Sequence, residues 1–316
     1  GQFSFALWDK AKDRLLLGRD RVGIKPLHYT YQNGMLVFSS ELKGILAYPG
    51  MRRELDPVAL NQYLTYEHVP VPRTIFKDIC KLPPGHILTL ERGGLTLTPY
   101  WDLVLARSEQ GAQRPLEEWE DLFRDALARS VRMELMSDVP LGVFLSGGLD
   151  SSAIAAYMAQ AGGRTVQSFS IAFEDASFDE STYARQVAHH LGTEHREQTL
   201  TQQMMWELVP RIAEILDEPL GDSSIIPCYL LAKFARQYVT VALGGDGGDE
   251  LLAGYSTLQA HRLAEYYKLL PGIFRRGIIA PLVHRLPVSH SNISLDFRAK
   301  RFVDWAEASA PVRHHL

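Results

Sequence analysis

The run Leu145-Ser146-Gly147-Gly148-Leu149-Asp150-Ser151-Ser152 follows the apolar stretch Gly142-Val143-Phe144-Leu145 and precedes Ala153-Ile154-Ala155-Ala156. An unbroken apolar run before a glycine turn and a helix reads as a strand buried on both faces, the kind found in parallel sheets covered by helices. At such a junction the helix start offers free N–H groups and partial positive charge, and two glycines let the backbone approach an anion closely. The turn is therefore suited to phosphate. It has no lysine, unlike a Walker loop, so the charge of a polyphosphate needs another neutraliser. Asp150, inside the turn, would repel phosphate unless it held a divalent cation, and magnesium takes carboxylate and phosphate oxygens together. The plain alternative is a tight turn whose Asp150 and Ser151 cap the helix.

A second turn of the same kind follows the apolar run ending at Leu243, in Gly244-Gly245-Asp246-Gly247-Gly248-Asp249-Glu250. Three carboxylates in five positions repel one another, which predicts a second metal contact or a proton-transfer role. Helix capping by Asp249 and Glu250 is the alternative. In open α/β sheets, turns at the carboxyl ends of strands face one crevice, so the two turns are expected to lie opposite each other.

Strands and helices alternate around these turns. Leu141 to Leu145, Val166 to Phe173 and Val239 to Leu243 read as strands, Asp179 to Leu191 as a helix capped by Gly192, and Pro115 to Leu135 as one amphipathic helix. The first hundred residues instead hold short β-type runs, Phe3 to Trp8, Arg14 to Gly18, Leu36 to Ser40 and His86 to Leu90. One helix is expected from Asp56-Pro57 to Tyr66. Leu103 to Gln113 is polar and aperiodic, which places a linker there and divides the chain into 1–103 and 104–316.

A net charge of −4 and a pI near 6.3, with no long basic run, argue against nucleic acid or an anionic membrane as partner. No apolar run reaches the roughly 18 residues of a membrane span. Cys80 and Cys228 are too few for a disulfide framework or a thiolate zinc site, which fits a reduced cytoplasmic setting. The start at Gly1-Gln2 and the end at His314-His315-Leu316 lead to the expectation of a fragment.

Ser-Gly-Gly-Leu-Asp-Ser-Ser resembles the pyrophosphate loop of the ATP-pyrophosphatase superfamily. Gly-Asp-Gly-Gly-Asp-Glu-Leu-Leu-Ala-Gly-Tyr resembles the second signature of asparagine synthetases. The resemblance implies an α/β, parallel-sheet domain of the adenine nucleotide α-hydrolase type that binds ATP and Mg²⁺. By match, Leu145 to Ser152, Gly244 and Gly245 contact ATP, Ile171 contacts the base, Asp150 and Asp249 hold the metal, and Asp246 is the catalytic base. Asp222 and Ser223 match the acceptor segment. The family usually has Ser at position 244, and its acceptor segment carries an arginine where this chain offers Ser223 and no cation.

Phe3 to Asp9, Gly18 to Leu27 and Phe38 to Lys43 resemble the later part of a class II, Ntn-type glutaminase domain. From composition alone, Arg19 to Arg21 would be a solvated charge cluster. That glutaminase uses an N-terminal cysteine, and Gly1 is not one, so this piece is not expected to hydrolyse glutamine. The implied activity is glutamine-dependent asparagine synthesis with ATP, a carboxylate acceptor and ammonia from glutamine as small-molecule partners, in a homodimer. Two alternatives stand beside it. One is the same chemistry on a non-aspartate carboxylate, in a cell-envelope or exosortase-associated polysaccharide pathway; the other is a nucleotide-binding regulatory module without catalysis.

Overall fold

The computed structural model describes residues 1–104, 114–163, 165–289 and 294–315, so most of the predicted linker, at 105–113, lies outside the described residues. The chain forms two compact units. The first comprises Gly1–Arg114 together with Val209–Ser224. Its elements are β1 (Ser4–Asp9), β2 (Arg14–Arg19), β3 (His28–Gln32), β4 (Met35–Ser39), α1 (Leu42–Leu46), α2 (Pro57–Tyr66), β5 (Cys80–Lys81), β6 (His86–Glu91) and β7 (Gly94–Pro99). They build two antiparallel sheets, in the orders β1-β2-β6-β7 and β4-β3-β5. Leu17, Leu27, Leu82 and Leu88 form one core, while Leu42, Ile45, Ala59 and Val69 belong to another. The predicted start of α2 is found in place: Asp56 is its N-cap, accepting a hydrogen bond from the Val58 N–H at 2.8 Å, with Pro57 in the first turn.

Arg19 and Asp20 are braces of this unit, not part of a solvated cluster. The Arg19 guanidinium donates to the carbonyls of Lys25, Leu82 and Gly23 at 3.0, 2.7 and 2.7 Å. Asp20 is 1% exposed and accepts from the N–H groups of Phe3, Ile24 and Lys25 at 3.3, 3.0 and 2.9 Å. Burial alone would raise its carboxyl, but the backbone donors outweigh burial and hold it below its ordinary value.

The segment Val209–Ser224 is tied into the first unit by charge. Asp217 accepts from the Leu42 N–H at 2.6 Å at the start of α1, and its other oxygen lies 3.6 Å from Lys43 Nζ. Glu218 pairs with Lys81 and accepts from the Ile75 N–H at 3.1 Å. A main-chain bond of 2.7 Å from the Gly221 N–H to the Glu67 carbonyl completes the attachment.

The second unit comprises Pro115–Leu208 and Ile225–Leu316. Along it come α3 (Leu116–Glu134), β8 (Leu141–Phe144), α4 (Leu149–Ala161), β9 (Gln167–Phe173), α5 (Ser181–Leu191) and β10 (Glu194–Leu200). Next, α6 (Gln202–Ile215) starts here and ends in the first unit, and α7 (Ile225–Ala235), β11 (Val241–Leu243), α8 (Gly248–Leu252) and α9 (Ser256–Lys268) follow. The sheet runs β10-β9-β8-β11 and every pair is parallel. Helices pack on both faces. Ala155 and Met158 of α4 and Ala184 of α5 meet Val143 and Leu145 on one side, and Ala235 of α7 with Val239 meets Phe169 on the other. This burial explains the unbroken apolar run of β8; the run expected to be equally buried at β11 forms the sheet's edge, with Val241 40% exposed. Gly192 ends α5 in the left-handed region at φ 66°, as its position predicts. Among the described residues no helix is long and apolar enough to cross a membrane.

Candidate active site

Strands β8 and β11 are direct neighbours, with Val241 opposite Leu141 and Leu243 opposite Val143. The turns that follow them therefore leave the same sheet edge side by side. They are in contact. A methyl group placed on Gly245 would sit 2.8 Å from the Ser151 nitrogen and 2.9 Å from Asp150 Cβ, and one on Gly248 would sit 2.7 Å from both carboxylate oxygens of Asp150. Glycine is what allows the two turns to approach this closely.

The first turn is braced internally. The Ser146 N–H donates to Ser151 Oγ at 3.2 Å, the two hydroxyls lie 3.0 Å apart, and the Gly148 N–H donates to Ser146 Oγ at 3.2 Å. Gly148 is the N-cap of α4 and Gly247, at φ 90°, is the N-cap of α8, and neither helix has a side-chain cap bond. Glycine, not Asp150, Ser151, Asp249 or Glu250, therefore holds the cap position of each helix; Ser151 Oγ is taken up within the first turn and Glu250 by Tyr255. Gly147 stands at φ 85°, where a methyl would lie 2.5 Å from Tyr183 Cβ and 2.6 Å from the Ala184 nitrogen. Gly147→Ala combines a strained backbone with a clash, and is expected to cost about 2 kcal/mol, read as a lower unfolding midpoint in denaturant.

Both turns line a cleft of about 480 Å³. Leu145, Ser146, Gly148, Asp150 and Ser151 form its wall on one side; Gly244, Gly245, Asp246 and Asp249 do so on the other, and Ile171 joins from β9. Three residues matched to ATP are not on that wall. Gly147 packs against α5, Leu149 is 91% exposed, and the Ser152 hydroxyl is buried without a hydrogen-bond partner. Asp222 and Ser223 belong to the segment grouped with the first unit, where Asp222 Oδ1 accepts from the Ser224 N–H at 2.8 Å. At position 244 the absent side chain leaves space that the Asp246 carboxylate occupies.

The cleft also contains residues that motif reading passed over. Ser170, Phe173 and Phe178 lie along its β9 side, the two rings 6.4 Å apart, and Glu180 and Tyr255 complete the lining near the turns. The Tyr255 hydroxyl donates to Glu250 at 2.5 Å, which pushes the phenol up to about 12 and holds Glu250 below its ordinary value. The Ser-Phe-Ser alternation at 168–170 was the available signal for Ser170, because polar residues with period two on a buried strand point to one face.

Residues 122–314 match the asparagine synthase family, and residues 1–101 match the glutamine amidotransferase domain. The chain belongs to the asparagine synthase family. A relative from Methanocaldococcus jannaschii is 35% identical over 281 residues, 87% of this chain and 53% of its own length. Asparagine synthetase (glutamine-hydrolyzing) 1 of Bacillus subtilis is 34% identical over 284 residues, 88% of this chain and 43% of the relative. Amidase chyE of Penicillium rubens is 31% identical over 282 residues, 84% of this chain and 41% of the relative. This asparagine synthase family chain spans about half the length of the relatives it matches. Its cleft is lined by five carboxylates, Asp150, Glu180, Asp246, Asp249 and Glu250, and among the described lining residues there is no lysine, arginine or histidine. An anionic ligand meets no side-chain cation there.

Proposed function

We propose that the intact protein uses ATP to convert a carboxylate into its acyl-adenylate and amidates it with ammonia drawn from glutamine, aspartate being the acceptor that family membership favours. The reading is carried by the contact between two glycine-rich, acid-bearing turns at the ends of adjacent parallel strands. Crevices of this kind, outside the carboxyl ends of strands, are where open α/β sheets bind ligands.

The donor set fits Mg²⁺. Among the described residues no three acidic, histidine or cysteine side chains form a ready metal cage. Magnesium seldom uses one; it binds through one or two carboxylates together with substrate phosphates. Asp150 and Asp249 would hold it, and when bound it neutralises phosphate charge in a cleft whose own side chains are anionic. The backbone amides of the turn from Ser146 to Ser151 cradle the phosphates. An oxygen of the acceptor carboxylate attacks the α-phosphorus, and the bond to pyrophosphate breaks. Ammonia then attacks the acyl carbon and AMP leaves. Asp246 accepts the proton that the attacking nitrogen gives up. Ordering the reactants supplies most of the rate, since the groups present orient and neutralise and form no covalent intermediate with the protein.

A second acceptor class is supported by two observations. The segment Asp222-Ser223 carries no cation to grip aspartate, and one relative is named an amidase. A panel of carboxylates tested for ATP–pyrophosphate exchange separates the readings. Exchange with aspartate supports asparagine synthesis, and exchange with another acid while aspartate is silent supports the second class. No exchange with any acid rejects both and leaves the regulatory module.

A further inference from the structure

Neither the backbone nor the packing of the fold requires glycine at position 244. Gly244 is not among the glycines held at positive φ, so its backbone is open to a residue with a side chain. The three atoms nearest to a methyl group placed on it all belong to one residue: Asp246 Oδ2, which the methyl would overlap, Asp246 Cγ at 3.5 Å and the Asp246 nitrogen at 3.9 Å. Gly147 and Gly245 differ in this respect, since a methyl on either would press on main chain, 2.6 Å from the Ala184 nitrogen and 2.8 Å from the Ser151 nitrogen. What the glycine at 244 permits is therefore the placement of a single carboxylate.

That carboxylate has nothing else to fix its direction. Among the described residues no hydrogen bond or ion pair engages it, and Asp246 is an exposed residue of the cleft wall. An aspartate in this situation selects among its staggered rotamers by the space around it. Here it lies back over Gly244, just past the end of β11, in the place where a side chain at 244 would begin. The serine usual at this position in the family would put its Cβ there. The overlap would fall on the far end of a flexible side chain, so the fold would tolerate it and the carboxylate would move.

We propose that Gly244 is a positioning residue for the base: the missing side chain seats the Asp246 carboxylate in the direction from which it accepts the proton of the attacking nitrogen, and a side chain at 244 turns it away. The proposal rests on the reading of Asp246 as the base and concerns only the second half of the reaction. In the first half an oxygen of the acceptor carboxylate bonds to the α-phosphorus and pyrophosphate leaves; no proton is released to Asp246. In the second the nitrogen bonds to the acyl carbon, AMP leaves and the nitrogen gives up a proton, so the direction of the base matters there.

Two rates of the intact protein test it, both with ATP, magnesium and aspartate, or the acid that supports exchange in its place: ATP–pyrophosphate exchange, and amide formation with ammonium chloride. In Gly244→Ala the ratio of amide formation to exchange is expected to fall about 10-fold, part of the roughly 100-fold or more that a well-placed base supplies. Asp246→Glu adds a methylene that carries the carboxylate past the methyl. It is expected to raise the ratio when combined with Gly244→Ala and to lower it in the unaltered protein, where the seat fits the shorter acid; this reversal of sign marks direct contact between the two positions. Gly244→Ala combined with Asp246→Asn lowers the ratio no further than Asp246→Asn alone. A structural role, or one confined to contact with ATP, would lower both rates together and leave their ratio unchanged. A ratio in Gly244→Ala within about twofold of the unaltered protein, beside a large fall in Asp246→Asn, overturns the inference and leaves Asp246 as the base. If Asp246→Asn itself leaves the ratio unchanged, the reading of Asp246 falls, and the inference with it. Should Gly244→Ala not fold, Asp246→Glu alone decides the matter, and an undiminished ratio overturns the inference.

Discussion

Asp150→Asn in the intact protein is expected to lower kcat/KM for ATP–pyrophosphate exchange by about 100-fold while leaving the melting midpoint within a degree or two. The substitution preserves shape, and shape matters here because Gly245 and Gly248 pack directly on this side chain. What it removes is negative charge. Among the described residues no hydrogen bond or ion pair engages the Asp150 carboxylate, so the fold does not depend on its charge. A metal-chelated triphosphate does, because every side-chain charge on the cleft wall is negative and only a cation shared with a carboxylate makes phosphate binding favourable there. A factor of 100 corresponds to about 2.7 kcal/mol of lost transition-state stabilisation. Steady-state exchange assays over a range of magnesium concentrations are the check. Exchange within threefold of the unaltered protein would remove Asp150 from the metal site and leave the first turn as a phosphate cradle alone.

Asp20→Asn should destabilise the first unit by about 3 kcal/mol, since an amide NH₂ would be turned toward N–H groups that now donate to a buried carboxylate. The corresponding fall in melting midpoint is about 10 °C. The effect has a predictable pH dependence. Backbone donors hold the folded carboxyl below its ordinary value of 3.8, so its contribution is fully present above that value and is lost as the pH falls through the lower folded one. Melting curves of the two proteins should therefore differ most near neutrality and converge in acid. A gap that stays constant to pH 3 would mean that the charge of Asp20 is not what the backbone donors require.

The parts of the molecule that were legible from sequence are those in which a few neighbouring residues dictate the outcome. The strand–turn–helix around Ser146 to Ser151 was one, because apolar run, glycine pair and helix former are contiguous. That the two turns would share one crevice followed from a general property of parallel sheets; that their strands, β8 and β11, are direct neighbours although nearly a hundred residues apart was not legible. Arg19 and Asp20 show where such reading stops. Their charges suggested solvent, but their partners include Leu82, 63 residues away, and local composition carries no record of that. Asp217 likewise binds the start of α1 across 175 positions.

That last tie bears on how the gene can be divided. A break between residues 114 and 115 looks natural, yet it would send Asp217 and Glu218 away with the wrong piece. Lys43 and Lys81 would then lack their counter-ions, and the start of α1 would lose its acceptor. Any two-plasmid version, domain graft or chimera built from this scaffold has to carry the excursion from Val209 to Ser224 along with the β-rich half, as a loop transplanted in its own right.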